Sequence, residues 1–235
     1  MDRHGSARHD MVRGAAQSRE TSRGLLLVHA GGPSSAPGPI ATVERWAESG
    51  VVGLTVVPLE RGWVGVVPTT GVSAVGAPYE DALPLLLNRS LPHRLRPAIG
   101  LGVVGRRGVV CVTPAGWRAV RRWLVWQPGR GVVHPGGLAV ARLADLVRAA
   151  GVADPSAVGG LADVLHDPAG DARLMVADVL VALDLPGAAL LDGGPAVGRL
   201  PGATVVQPGA VAVRRFAKAT RENVMWRDEM EGSGR

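Results

Sequence analysis

The hydrophobic pattern of this chain changes near residue 135, and that change limits the folds open to it. Before this point, short apolar runs rich in Val and Leu are separated by Gly and Pro, which is typical of β-strands. After it, apolar residues recur at helical spacing, as in 156–166, where Val158, Leu161 and Leu165 share one face. The sequence therefore predicts an α+β fold, with a β-rich N-terminal half packed against a helical C-terminal half.

The N-terminal half contains one strand–loop–helix unit and two hairpins. The apolar run 25–29 predicts a buried strand, and 40–49, preceded by Pro39, predicts a short helix. Two pairs of β-branched runs predict the hairpins, at 51–57 with 63–67 and at 99–104 with 109–113. The segment 78–91 starts with a helical pattern, which Pro84 is expected to limit to about one turn.

The C-terminal half is predicted to be mainly helical, with helices at 138–150, 156–166, 172–185 and 208 to about 230, and a short strand at 204–206. The helix at 172–185 is apolar nearly all round, so we expect it to be the most buried. Residues 1–23 are polar and aperiodic and are predicted to form a disordered tail. The basic region 24–134 and the helical region 135–235 are expected to fold together as one domain.

Positive and negative charge are separated along the chain. Residues 61–135 contain ten arginines and two acids, whereas 136–200 contain four arginines and eight aspartates. The electrostatic field of such a basic stretch attracts an anionic partner or binds the acidic half of the same chain. Lys218 is the only lysine, and Ala, Gly and Pro are abundant, as in bacterial proteins from high-GC genomes. Codon bias therefore explains part of the net charge of +6, which supports nucleic-acid binding only weakly.

The segment 117–126 combines three arginines with three tryptophans. Drawn as a helix, it places the indoles on one half and the arginines on the other, which is cleaner than the strand alternative. We therefore predict a helix, with a hairpin of 123–127 and 132–134 as the open alternative. Exposed arginines beside indoles would suit single-stranded nucleic acid, but on a helix the indoles would point into the core.

No catalytic motif is present. The phosphate-binding patterns of nucleotide enzymes and the nucleophile motif of serine hydrolases are both missing. Cys111, the only cysteine, lies in an apolar run and is expected to be a buried, inert thiol. The acidic residues around His166 are explained by the polar face of a helix, so we expect no metal site and no cofactor.

One loop still resembles a ligand site in its residue types. Glycines that follow a strand and precede a helix allow backbone N–H groups to contact an anion. The loop at 30–39 would serve an enzyme that acts on a phosphorylated or acyl substrate. The ligand-loop candidates, in this loop and directly before it, are His29, Gly31, Gly32, Ser34 and Ser35.

The favoured hypothesis is a cytoplasmic bacterial binding or regulatory protein rather than an enzyme. It would contact a protein partner or an acidic macromolecule through a basic surface, without entering a membrane. Nucleic-acid binding through the Arg/Trp segment is the first alternative, and an enzyme using the loop at 30–39 is the second. The candidate binding residues are Arg106, Arg107, Arg118, Arg121, Arg122 and Arg130.

Overall fold

Eight antiparallel strands form one sheet at the centre of the molecule. The computed structural model describes residues 22–29, 38–134, 136–154, 156–194 and 196–232. The order of strands across the sheet is β7-β6-β5-β4-β1-β3-β2-β8. The strands are β1 (Arg23–His29), β2 (Leu54–Pro58), β3 (Trp63–Pro68), β4 (Ala98–Val104), β5 (Arg107–Thr113), β6 (Arg122–Gln127), β7 (Gly131–Val133) and β8 (Thr204–Val206).

Helices cover both faces of this sheet. Buried side chains of α1 and α2 belong to a core on the first face, and those of α3, α4 and α5 to a larger core on the second. The first core also receives Phe216 from the N-terminal half of α6. This arrangement confirms the α+β prediction. The helices are α1 (Pro39–Glu48), α2 (Ala82–Asn88), α3 (Leu143–Ala150), α4 (Ser156–His166), α5 (Ala172–Ala182) and α6 (Ala210–Gly232).

Strand β1 lies at the centre of the sheet and supplies both cores. It pairs with β3 on one side and with β4 on the other. Because successive strand residues point to opposite faces, Leu25 and Leu27 enter the second-face core while Leu26 and Val28 enter the first. Both faces of β1 are therefore buried, which explains why its apolar run does not alternate with polar residues.

Both predicted hairpins are confirmed. β2 pairs with β3 from Leu54↔Pro68 to Pro58↔Val64, and β4 pairs with β5 along seven residues from Ala98↔Thr113 to Val104↔Arg107. The predicted short strand at 204–206 is β8, which pairs with β2. The sheet therefore includes a strand from the C-terminal half.

The helix predicted over 117–126 is wrong, and the hairpin alternative is right. Residues 122–127 form β6, which pairs with β5 and with β7. Trp126 is fully buried on the second face, whereas Trp123 is buried beside Cys111 on the first. A strand places its two indoles on opposite faces of a sheet that is covered on both sides. Its pairing with β5 also satisfies the backbone N–H and C=O groups of β5, which a helix in this position would leave without partners.

Three further expectations need correction. α2 begins at Ala82 and continues past Pro84, because a proline in the first turn needs no intrahelical N–H bond. α3 begins at Leu143 rather than 138, since the preceding segment runs beside β6, where Trp123 donates its backbone N–H to Ala139 O at 2.7 Å. α5 is not buried all round: Leu174 is 57% exposed and Val181 76% exposed.

Candidate functional site

A groove of about 690 Å³ lies on the first face of the sheet, beyond the edge of α2. We call it the sheet-face groove. α2 forms one wall, β4, β5 and β6 form the floor, and Leu138 stands on the opposite side. The residues that line it are Pro84, Leu87, Asn88, Val104, Gly105, Arg106, Arg107, Val109, Trp123, Val125, Gln127, Pro128 and Leu138.

Two glycines in β4 set the position of the α2 wall. A Cβ atom on Gly100 would lie 2.5 Å from Leu87 Cδ2, and one on Gly102 would lie 2.6 Å from Leu83 Cδ2. These distances are far shorter than a normal contact, so α2 lies close to the sheet only because both positions lack a side chain. Asp81 caps the start of α2 by accepting a hydrogen bond from Leu83 N at 3.2 Å.

Arg121 fixes the other end of α2. Its guanidinium donates hydrogen bonds to the backbone oxygens of Leu87 and Arg89, the latter at 2.7 Å, and to Thr113 Oγ1 at 3.0 Å. The carbonyl groups at the end of a helix have no intrahelical donor, so an arginine here supplies their hydrogen bonds. Its positive charge also interacts favourably with the negative end of the helix dipole. Arg121 was predicted as a binding residue, but its guanidinium is occupied by these internal contacts.

The floor of the groove is apolar and only partly covered. Val104, Val109 and Val125 are half-buried, although each points to the same face as the buried Cys111 and Trp123. Leu138 is 46% exposed. These side chains remain accessible because no helix in the described part of the chain crosses β5, β6 and β7 on this face. The groove therefore exposes apolar side chains beyond the edge of α2.

Two arginines stand at one end of this floor, at the turn between β4 and β5. Arg106 and Arg107, which we call the tip pair, are both exposed and line the groove. Neither guanidinium forms a hydrogen bond or ion pair with a residue that the structure describes. The tip pair therefore places uncompensated positive charge beside an apolar surface.

The other predicted arginines do not join this site as one surface. Arg130 lies in the turn between β6 and β7, at the same end of the sheet as the tip pair. Arg118 and Arg122 lie at the opposite end of β5, about 20 Å away along a strand of this length. Arg122 forms an ion pair with Asp145, and the Arg118 guanidinium lies 5.0 Å from the centre of the Trp117 ring.

Several arginines outside the predicted set also have internal roles. Arg89 lies 4.2 Å from the centre of the Trp46 ring and donates hydrogen bonds to Trp46 O and Ser49 Oγ at the end of α1. Arg96 donates to Gly116 O at 2.9 Å and to Trp117 O at 3.1 Å. Arg61 pairs with Asp184. Much of the basic region thus stabilises helix ends, loops and contacts with the acidic half.

The ligand-loop candidates fall largely outside the described residues. Gly31, Gly32, Ser34 and Ser35 belong to the segment 30–37, which the structure does not describe. His29, at the end of β1, is half-buried, and its ring contacts the edge of Trp63 with 5.0 Å between ring centres. Its backbone N–H donates to Pro97 O at 3.1 Å.

Cys111 lies beneath α2, next to the groove floor. The thiol is buried, as predicted, and burial raises its pKa to about 11, although the nearby Arg121 charge acts in the opposite direction. Such a thiol is protonated at neutral pH and is not an available nucleophile. The described residues contain no group of three His, Cys, Asp or Glu side chains that could hold a metal ion.

The sequence interpretation missed the groove floor. Its one detectable signal is the alternation in 107–113, where Val109 shares a face with Arg107, and in 122–127, where Val125 shares a face with Trp123 and Gln127. No protein-family model matches the chain, and comparisons with curated proteins and with solved structures find no match either. None of the helices within the described ranges has the length and apolarity needed to cross a lipid bilayer.

Proposed function

We propose that this protein is a binding module whose sheet-face groove takes an amphipathic helix from a partner protein. The observation that carries the proposal is the combination of an apolar floor with the tip pair. In the same basic region, Arg121 and Arg122 have internal partners, whereas Arg106 and Arg107 have none among the described residues. An acidic side chain on the partner would neutralise the positive charge of the tip pair.

The dimensions of the groove favour a helix as the occupant. Helices are the elements that cover the rest of this face, and α2 ends the covering layer at β4 and β5. Two further strands, β6 and β7, lie beyond β5, and the three together span about 14 Å across the sheet, enough for one helix about 10 Å wide. Strands of six and seven residues are about 20 Å long, which corresponds to a helix of about 14 residues. Its apolar face would contact Val104, Val109 and Val125.

A displayed library of amphipathic helical peptides of about 14 residues tests this proposal. Selection on the full chain should enrich peptides that combine an apolar stripe with acidic residues near one end. The affinity of synthesised binders should fall about tenfold or more in Arg106→Ser/Arg107→Ser, because charged hydrogen bonds contribute strongly to such contacts. Val125→Asp, which places a carboxylate in the groove floor, should also weaken binding.

The matched control is Arg94→Ser/Arg118→Ser, which removes the same two charges from exposed positions outside the groove. If both double variants weaken the peptides equally, bulk charge explains the binding and the groove proposal fails. It also fails if selected peptides retain full affinity for Val125→Asp.

A specific observation favours nucleic-acid binding as the second candidate. Trp117 is 75% exposed, and Arg96 donates a hydrogen bond to the backbone carbonyl of Trp117. With Arg118 over one side of the ring, the other side is available for stacking a base. Oligonucleotide binding that weakens with salt and is lost in Trp117→Ala would support this candidate. Binding that is unchanged in that variant would exclude it.

A further inference from the structure

A second cavity lies on the other face of the sheet, alongside β6 and β7. We call it the basic cleft, and its volume is about 380 Å³. Three segments meet there: the turn and strand at 130–134, the start of α3, and the end of α4. Gly129 N donates to Pro168 O at 2.8 Å, which holds the turn against the segment that follows α4.

The charge of the basic cleft has one sign. The four charged or titratable side chains that line it are Arg130, His134, Arg142 and His166, and no described lining residue is acidic. All four are exposed. None of the four side chains makes a hydrogen bond or an ion pair with a residue that the structure describes.

The carboxylates that the structure describes near the cleft form no ion pair with its lining side chains, although the charge of Asp145 acts on Arg142 through space. Asp145 accepts the Arg142 backbone N–H at 2.9 Å and pairs with Arg122, so both of its oxygens are engaged. Asp167 accepts the backbone N–H of Ala169 at 2.9 Å. Asp163 is exposed on α4 and does not line the cleft. The guanidinium groups of Arg130 and Arg142 therefore remain available to an external anion.

The floor of the cleft is apolar. Leu124 and Leu165 are buried beneath it, and Val132 and Leu143 are half-buried at its sides. A cavity of this volume is in the range that holds small organic molecules. A simple inorganic ion would leave most of this surface uncovered, whereas an anion attached to an apolar group would contact both the arginines and the floor.

We infer that the basic cleft binds a small organic anion, a carboxylate or phosphate monoester attached to an apolar group. Arg130 and Arg142 neutralise the anion, and the imidazole N–H groups of His134 and His166 are further donors. The site is separate from the sheet-face groove, since the two lie on opposite faces of the sheet. A failure of the peptide experiment therefore does not affect the inference about the basic cleft. A failure of anion binding likewise does not affect the proposal about the sheet-face groove.

Titration of the full chain with phenyl phosphate, benzoate and the neutral benzamide tests the inference. The expected result is saturable binding of at least one anion, with a rise in melting temperature and amide shifts centred on Gly131, Leu143 and His166. A preference for phenyl phosphate identifies a phosphate site, and a preference for benzoate a carboxylate site. Benzamide should not bind at the same concentrations, because it lacks the charge.

Arg130→Gln/Arg142→Gln should weaken anion binding about tenfold or more. Its own melting temperature serves as the folding check. Arg94→Gln/Arg148→Gln removes the same charge from exposed positions outside the cleft and should bind the anion like the unchanged protein. The inference is overturned if no anion binds, if benzamide binds equally well, or if the two double variants lose affinity equally.

Discussion

Arg122 in β6 forms an ion pair with Asp145 in the first turn of α3 and so joins the basic and acidic parts of the chain. The Asp145 side chain is only 9% exposed, and it also accepts the backbone N–H of Arg142 at the start of the helix. One carboxylate therefore caps a helix and attaches it to the sheet. The charge separation seen in the sequence serves, at this position, to hold one molecule together.

Replacement of this carboxylate should cost stability in a pH-dependent way. Burial disfavours the ionised form of Asp145, but the hydrogen bonds from Arg122 and Arg142 prevail, and its pKa lies below the ordinary value of 3.8. A lowered folded-state pKa gives stability that is complete above 3.8 and is lost as pH falls through the folded-state value. Asp145→Asn should therefore lose about 1 to 2 kcal/mol at pH 7, and the difference should narrow under acid. Denaturant unfolding from pH 7 to about 2 measures it, with the exposed Asp178→Asn as control.

Neighbouring arginines should differ sharply in their effect on stability. Arg121→Ala removes three hydrogen bonds and leaves two carbonyl groups at the end of α2 without their donor, so we expect a loss of about 2 to 4 kcal/mol. Arg118→Ala removes an exposed side chain and should change stability by less than about 0.5 kcal/mol. Equal melting temperatures for the two variants would show that the Arg121 contacts do not hold α2.

Glycine-to-alanine substitutions should have opposite signs at two positions. A Cβ on Gly102 would lie 2.6 Å from Leu83 Cδ2 and 2.7 Å from Arg23 O, so Gly102→Ala should destabilise the protein by about 1 to 3 kcal/mol. Gly160 is exposed within α4 and has open space around it, so Gly160→Ala should stabilise the protein by up to about 1 kcal/mol. Thermal unfolding of both variants provides the comparison. Stabilisation by Gly102→Ala would contradict the close packing of α2.

The buried thiol should be inert at neutral pH and should weaken the fold in alkali. The pKa of Cys111 rises from 9.0 to about 11 on burial, so the unfolded chain ionises first and stability falls as pH rises between these values. By linkage this loss is about 2 to 3 kcal/mol, and Cys111→Ala should not show it. Thiol labelling of the folded protein at pH 7 should be slow and should accelerate only with unfolding. Rapid labelling under native conditions would disprove this.

Charge reversal at the tip pair should leave the fold intact. Arg106 and Arg107 have no described partner, so Arg106→Glu/Arg107→Glu should keep the melting temperature of the unchanged protein. Arg61→Glu/Arg122→Glu reverses the same charge but breaks pairs with Asp184 and Asp145, and it should lower that temperature. If the tip variant is the less stable of the two, the tip pair clamps the acidic half and is not a free binding surface.

The elements that could be predicted from the sequence are those decided by local pattern. The unbroken apolar run of β1, the β-branched runs of the β4–β5 hairpin and the spacing of α4 each determine their own structure. The segment 117–126 could not be resolved in this way, because its apolar and basic residues separate well on a helical wheel. Pairing with β5, which is a tertiary interaction, decides in favour of a strand.

The candidate site was harder to predict for a related reason. The two carbonyl acceptors of Arg121 lie more than thirty residues earlier in the chain, so no local pattern distinguishes it from Arg118. The tip pair was predictable, because two arginines between glycines at a hairpin turn must project into solvent. The groove exists because α2 is the last of the described helices that cover the first face of the sheet towards β7. Sequence periodicity does not show how far across a sheet the covering helices extend.

The central position of β1 has a consequence for how the protein is made. Both of its neighbours, β3 and β4, follow it in the chain, and β8 is translated long after the β2 strand that it borders. A strand that is buried on both faces therefore leaves the ribosome before any strand that can pair with it. Until β3 and β4 emerge, β1 is an open template for pairing with other nascent chains, so crowded polysomes would favour its aggregation over folding.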